Sequence, residues 1–143
     1  MREGKGTFRS NGYKYVGNWH RGLKHGNGQE CWAEDCNSDV LEYDGEFKED
    51  LKDGFGVTKY KDGSLYEGNW KEDQICGYGS LTMADKKYDG YWKDGGMDGH
   101  GELVWANGMR YFGQFKDGKV SGKGRLTSSD GSYFDGKWSD GKK

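Results

Sequence analysis

Proline is absent from all 143 residues, and cysteine occurs only three times. So sparse and odd a set of cysteines builds no disulfide framework, and reduced thiols are expected. Hydrophobic residues make up 31% of the chain against 32% charged; taken alone, that balance suggests disorder or a very poor core. Neither sign of charge dominates, with 22 Lys and Arg against 24 Asp and Glu and a formal net charge of −2. A nucleic-acid binder normally carries a basic excess on one face, so nucleic acid is not an expected partner. No apolar run approaches the roughly 18 residues of a membrane span. The opening Met1-Arg2-Glu3-Gly4 lacks a signal-peptide core. A cytoplasmic protein is the expectation.

What is abundant opposes disorder: 15% aromatics and 27 glycines, both at fixed positions. Tyr15, Tyr43, Tyr66, Tyr88, Tyr111 and Phe134 each open a copy of one pattern. Two residues on stand Gly17, Gly45, Gly68, Gly90, Gly113 and Gly136; four on stand Trp19, Phe47, Trp70, Trp92, Phe115 and Trp138. A Gly-x-Gly pair follows at Gly26/Gly28, Gly54/Gly56, Gly77/Gly79, Gly99/Gly101 and Gly122/Gly124. Steps of 28, 23, 22, 23 and 23 residues separate the openings, a period of about 23 with one insertion. That is the signature of a repeat array. Such an array buries surface between neighbouring repeats and needs no central core, which reconciles the composition with folding.

The repeat reads as strands. Side chains alternate faces along a strand, so Tyr66, Gly68 and Trp70 share one face while Glu67, Asn69 and Lys71 share the other. A glycine between two aromatics leaves a gap in which a neighbouring ring can lie on bare backbone; rings over glycines are the expected core. One turn, seven residues after each opening, holds Gly22, Asp50, Asp73, Gly95, Gly118 and Gly141, residue types that tolerate positive φ. A second turn is Asn11-Gly12, Asp62-Gly63, Asn107-Gly108 or Asp130-Gly131, the strongest short hairpin signal. Both connections are short, so each strand pairs with the next. The expected fold is all-β: an elongated, single-layer antiparallel meander of repeated hairpins. Its units are 1–14 (a second half), 15–42 (with the insertion), 43–65, 66–87, 88–110, 111–133 and 134–143 (a first half). Beginning and ending in mid-unit suggests a piece of a longer protein, or half-units that complement each other in a dimer or end to end.

The insertion places Cys31 to Asp39 in a longer loop, a natural place for specific contact. At the fifth position after each opening, His20, Lys48, Lys71, Lys93, Lys116 and Ser139 form a mainly basic ladder. Beside it run Arg21, Glu49, Glu72, Asp94, Asp117 and Asp140, mainly acidic. Cross-strand opposite charges contribute only tenths of a kcal/mol each, so a solvated structural face is the plainer reading of both ladders.

The pattern Tyr-x-Gly-x-Trp-x-x-Gly-x-x-x-Gly-x-Gly resembles the MORN repeat (membrane occupation and recognition nexus). Tyr88-Asp89-Gly90-Tyr91-Trp92-Lys93-Asp94-Gly95 with Gly99-His100-Gly101 matches closely, as does Tyr15 to Gly22 with Gly26-Asn27-Gly28. Departures are Asp50 and Asp73 for the turn glycine, Phe47 and Phe115 for tryptophan, and Phe134 for tyrosine. The resemblance implies a twisted sheet of hairpins. It also implies a role in cytoskeletal or ciliary scaffolds, at the cytoplasmic face of membranes, or beside catalytic domains. Partners in that family are proteins, further copies of the array, or phosphoinositides.

Catalysis finds no constellation. His20, His25 and His100 fall at repeat positions with no fixed nucleophile or carboxylate partner, and no cofactor is implied. Gly96 to Gly101 is glycine-rich, yet no Lys-Ser/Thr follows and no helix is opened, so it is not a phosphate loop. Cys31 and Cys36, with His20 or His25, form the one conceivable metal set, though no second cysteine pair supplies the remaining ligands. The protein-binding candidates are the aromatics, the residue types enriched at interface hot spots. They are Phe8, Phe134 and Trp138 in the terminal half-units, Trp32 in the inserted loop, and Trp92, Trp105 and Phe115 in the stripe. The alternative is an anionic membrane held by Lys48, Lys71, Lys93 and Lys116, each basic residue near the bilayer contributing about 1 kcal/mol.

Overall fold

The computed structural model describes residues 2–33 and 38–138. The chain divides into two units, Met1–Gln74 and Ile75–Lys143. The first holds β1 (Gly4–Ser10), β2 (Tyr13–His20), β3 (Leu23–Trp32), β4 (Val40–Lys48), β5 (Leu51–Tyr60) and β6 (Leu65–Lys71). The second holds β7 (Gln74–Thr82), which starts on the last residue of the first unit, and β8 (Lys86–Lys93). After these come β9 (Gly96–Trp105), β10 (Arg110–Lys116), β11 (Lys119–Thr127) and β12 (Tyr133–Trp138). Within each unit every strand pairs antiparallel with the next in sequence. The all-β meander of hairpins expected from the period is what forms.

Glycines fall opposite glycines. In the first unit Gly6 faces Gly17, Gly17 faces Gly28, and the row continues through Gly45 and Gly56 to Gly68. A second row runs from Gly79 through Gly90, Gly101, Gly113 and Gly124 to Gly136. Tyrosine rings cover these rows. A Cβ built on Gly101 comes within 2.5 Å of Tyr88 Cε1 and 2.6 Å of its Cζ, so no side chain larger than hydrogen fits beneath the ring. Tyr15, Tyr43, Tyr66, Tyr88 and Tyr111 are at most 1% exposed. The first four residues of each opening curl so that the phenol donates to a carbonyl three residues on, as Tyr43 Oη does to Glu46 O at 2.9 Å. Tyr15, Tyr43, Tyr88 and Tyr111 each meet two other rings edge-on: Tyr88 touches Trp92 at 5.1 Å and Phe115 of the next repeat at 5.0 Å, the geometry favoured by the ring quadrupole.

The first glycine of each Gly-x-Gly does something else. Gly26, Gly54, Gly77, Gly99 and Gly122 all take positive φ, between 65° and 103°. The pairing slips here: Gly17 faces Gly28 but Trp19 faces Lys24, so β3 carries extra residues in a bulge that glycine accommodates. A side chain from the facing strand satisfies the freed backbone. Glu46 Oε2 accepts from Phe55 N at 2.7 Å, and Gln114 Oε1 accepts from Lys123 N at 3.1 Å.

The turns are of two kinds. Arg21-Gly22, Glu49-Asp50, Glu72-Asp73, Asp94-Gly95 and Asp117-Gly118 all have positive φ at both residues, as a two-residue type I′ hairpin turn requires. Among the second set only Asn11-Gly12 does so. At Asp62-Gly63, Asn107-Gly108 and Asp130-Gly131 the glycine alone is left-handed, with φ of 92°. These are longer turns in which the Asp or Asn side chain accepts from the backbone two residues on, as Asp62 Oδ1 does from Ser64 N at 2.8 Å. That local bond selects the turn over the two-residue form.

Candidate partner-binding face

The face bearing the tyrosines is not closed over by other structure among the described residues. In the first unit it forms a cleft of about 670 Å³, lined by Phe8, Tyr13, Trp19 and Trp32 with Arg2, Lys24, Glu30 and Asp50. Tyr13 and Trp32 are paired across β2 and β3 and their rings lie 5.4 Å apart. The Arg2 guanidinium sits over Trp19 at 4.9 Å and Phe8 at 5.4 Å. Beneath them Glu30, 4% exposed, receives the Lys24 ammonium at 2.5 Å and the Tyr13 hydroxyl. Burial and the Glu30 carboxylate beside it push the Tyr13 phenol far above its ordinary pKa, so Tyr13 is a donor throughout the physiological range.

The sequence candidates divide by where the sheet puts them. Phe8, Trp32, Trp105 and Trp138 are half-buried, and Phe134 is 43% exposed. Trp92 and Phe115 are corrected: at 7% and 4% exposure they offer little surface to a partner, Trp92 packed on Tyr88 and Phe115 between Tyr88 and Tyr111. Trp32 is corrected in place. It is the last residue of β3, held in register opposite Tyr13, because the pairing with β2 continues to the start of that strand. Cys36 lies outside the described residues, no cluster of three metal-ligating side chains occurs among the described ones, and burial raises the Cys31 thiol pKa, disfavouring the thiolate a metal needs.

Lys48, Lys71, Lys93 and Lys116 are all exposed. Their expected cross-strand acidic partners are not there: Glu49, Glu72, Asp94 and Asp117 occupy the left-handed turns, and Lys48 faces Leu51 while Lys116 faces Lys119. Ion pairs form elsewhere, at Lys59–Glu42 (3.6 Å) and Arg125–Asp135 (2.6 Å).

Two features escaped the sequence reading. On the opposite face Phe55 in the first unit and Tyr78, Tyr91, Phe112 and Tyr133 in the second are each more than half exposed. Phe55 and Tyr78 share one offset, between the paired glycines, but Tyr91, Phe112 and Tyr133 each sit at a different one, so periodicity does not single out the set. The second feature is Lys24 and Lys52, whose ammonium groups lie among the aromatic rings. Aligning the repeats nine residues past each opening gives Lys24, Lys52, Ile75, Met97 and Val120, and that column would have found them.

Five segments match the family model described as MORN repeat: residues 15–36, 43–65, 66–86, 88–110 and 111–133. Among curated proteins, Alsin of Rattus norvegicus is 35% identical over 75 residues, 49% of this chain and 4% of that protein. MORN repeat-containing protein 3 of Xenopus laevis is 34% identical over 87 residues, 57% of this chain and 35% of the relative. ALS2 C-terminal-like protein of Homo sapiens is 34% identical over 70 residues, 46% of this chain and 7% of the relative. The chain therefore spans well under half the length of each of these relatives.

Proposed function

This chain belongs to the MORN repeat family, and we propose that it is a non-catalytic scaffold that binds protein partners through its aromatic face and associates with further copies of itself. The observation that carries the reading is the open ring-lined cleft of the first unit, where half-buried Phe8, Tyr13, Trp19 and Trp32 converge. Apolar, aromatic and concave, such a surface suits side chains of another protein better than a lipid headgroup. The setting we infer is a cytoplasmic assembly at the cytoskeleton, a cilium or a membrane. An array that positions a neighbouring domain is a second reading, supported by relatives such as Alsin, of which the match covers 4%.

Photo-cross-linking side chains placed at Trp32 and Trp105 test the reading in cells. Protein adducts are expected from these positions, and alanine at Lys48, Lys71, Lys93 and Lys116 leaves their yield unchanged. Sedimentation at rising concentration is expected to report self-association. In parallel, the protein is expected to stay in the supernatant with phosphoinositide vesicles at physiological salt. Headgroup-dependent pelleting that collapses with added salt and in the four-lysine variant would instead establish membrane binding.

A further inference from the structure

The repeats differ at two positions that flank each tyrosine ring. Nine residues past the opening stand Lys24, Lys52, Ile75, Met97 and Val120; fifteen past stand Glu30, Thr58, Leu81, Leu103 and Leu126. Three repeats are apolar at both. The first has a lysine and a glutamate, and they bind each other at 2.5 Å. The second has the lysine without the glutamate.

The two lysines are held alike. Lys24 Nζ lies 5.8 Å from the centre of the Tyr15 ring of its own repeat and 5.2 Å from Phe47 of the next, with Tyr13 at 5.7 Å. Lys52 Nζ lies 5.4 Å from Tyr43 of its own repeat and 5.2 Å from Trp70 of the next, with Trp32 at 5.7 Å. Each ammonium is thus partly withdrawn from water and set over three rings. For Lys24 the circle is completed by Glu30; for Lys52 no carboxylate lies within ion-pair distance among the described residues. Around it two further polar groups lack partners. They are the Thr58 hydroxyl, on a residue that is 0% exposed, and the indole N–H of Trp70, on one that is 8% exposed. The Asp73 carboxylate is engaged by the Lys52 backbone N–H at 2.7 Å.

We propose that Lys52 is the receptor for an acidic side chain, aspartate or glutamate, carried by a segment of a protein partner that lies along the aromatic cleft. The Lys24–Glu30 pair is the template: the partner supplies in trans what Glu30 supplies in cis. A charge already held over aromatic rings loses little freedom when its counter-ion arrives, and it gains a charge-assisted hydrogen bond. The surroundings favour a protein segment over an anionic bilayer. The first unit contains 15 acidic against 11 basic residues, which repels an extended negative surface, whereas one carboxylate flanked by apolar side chains meets the cation and the rings together. This deepens the protein-binding reading and rests on it.

A displayed library of random peptides, selected on the full chain, is the probe. Enriched peptides are expected to carry an Asp or Glu at a fixed spacing from aromatic or aliphatic residues. One such peptide and its carboxamide counterpart (Glu→Gln or Asp→Asn) are then titrated by fluorescence anisotropy. The exchange is expected to weaken binding to the unmodified protein about tenfold or more and to change nothing for Lys52→Met, which copies the side chain nature uses at Met97. Thr58→Glu, which would pair Lys52 in cis, is expected to weaken the acidic peptide as Lys52→Met does; Lys48→Met is expected to have no effect. Thermal melts establish that each variant is folded, and the Lys52→Met comparison stands if Thr58→Glu is not. Peptides that bind the cleft with no acidic preference, or a carboxamide penalty that survives in Lys52→Met, overturn the proposal while leaving the protein-binding reading in place. Selection of no peptide, together with absence of protein adducts at Trp32 and Trp105, overturns both. Lys52-dependent pelleting on phosphoinositide vesicles overturns it in favour of lipid.

Discussion

Two glycines that face each other across β8 and β9 should respond oppositely to the same added methyl group. On Gly101 the three atoms nearest a Cβ all belong to Tyr88, at 2.5 Å for Cε1 and closer still for the hydroxyl. On Gly90 it meets the Tyr88 hydroxyl at 2.5 Å but also backbone, 2.5 Å from Gly101 Cα and 2.7 Å from His100 O. A ring can move; a ladder strand cannot without breaking its pairing. Gly101→Ala should displace Tyr88, costing about 1–3 kcal/mol for overpacking. The hydrogen bond from Tyr88 Oη to Tyr91 O, at 2.8 Å, goes with it and adds about 1 kcal/mol. Trimming the ring by Tyr88→Leu removes the three nearest clashing atoms. In that background Gly101→Ala should cost nothing, or gain the roughly 0.5–1 kcal/mol by which alanine exceeds glycine within a strand. Gly90→Ala should cost more than about 4 kcal/mol, the range reserved for broken backbone or severe steric conflict, and Tyr88→Leu should not restore it. Urea unfolding followed by tryptophan fluorescence, for the two single substitutions in both backgrounds, gives the coupling energies directly. Equal cost of Gly101→Ala with and without the tyrosine ring would refute the ring-over-glycine core, and so would rescue of Gly90→Ala by Tyr88→Leu.

Tyr43→Phe keeps the ring and removes only the bond to Glu46 O, 2.9 Å long; the urea midpoint should fall by the equivalent of about 1 kcal/mol with the slope unchanged. Glu72 holds φ of 49° in the first position of its type I′ turn, where a non-glycine residue is strained. Glu72→Asn should raise stability by roughly 0.5–1 kcal/mol in the same assay, since asparagine tolerates that region. Alkaline pH should unfold the protein. Burial raises the phenols of Tyr13, Tyr15, Tyr43, Tyr60, Tyr88 and Tyr111, that of Tyr15 to about 12 from 10.0. Between those values the unfolded chain has released protons that the folded one still holds, so this contribution is complete below pH 10 and is lost as pH rises toward 12. Tyrosinate absorbance should therefore appear late and together with loss of the β-sheet circular dichroism. Independent early titration of the phenols in a still-folded protein would contradict their burial.

The fold was legible because the consensus of the repeat is itself a packing rule. Tyr88, Gly90 and Trp92 share a face by strand alternation, and Gly101, eleven residues beyond Gly90, falls opposite it once a short turn joins the strands. Every step in that chain of inference is local. The candidate contacts were less legible because they depend on what lies across the sheet. Trp92 and Phe115 look like surface hot spots in the linear pattern, yet Trp92 packs on Tyr88 and Phe115 fills the space between Tyr111 of its own repeat and Tyr88 of the one before, and burial removes them. Trp32 looks like a loop residue until Tyr13 is found opposite it. The pairing of Asp62 with the backbone of Ser64 settles a turn type that the Asp-Gly dipeptide leaves open.

Consensus residues in a repeat array are consumed by folding: the tyrosines, the second glycine of each pair and the following aromatic have little surface left to offer. What distinguishes one array from another must then lie where repeats disagree, on the margins of the tyrosine face. Lys24 and Glu30 mark one such disagreement and are satisfied within the chain. Lys52 and Thr58 mark the next, with the same cation over the same kind of rings and no ion-paired acid among the described residues. The apolar pairs Met97/Leu103 and Val120/Leu126 give the face of the second unit a different character, suited to aliphatic and aromatic side chains. A partner of the first unit would carry an acidic residue, and a partner of the second apolar anchors. Charge reversal at Lys52 should then weaken binding of acidic peptides and leave binding of apolar ones unchanged, and polar substitution at Met97 should do the reverse, as titration of both variants with both peptides checks.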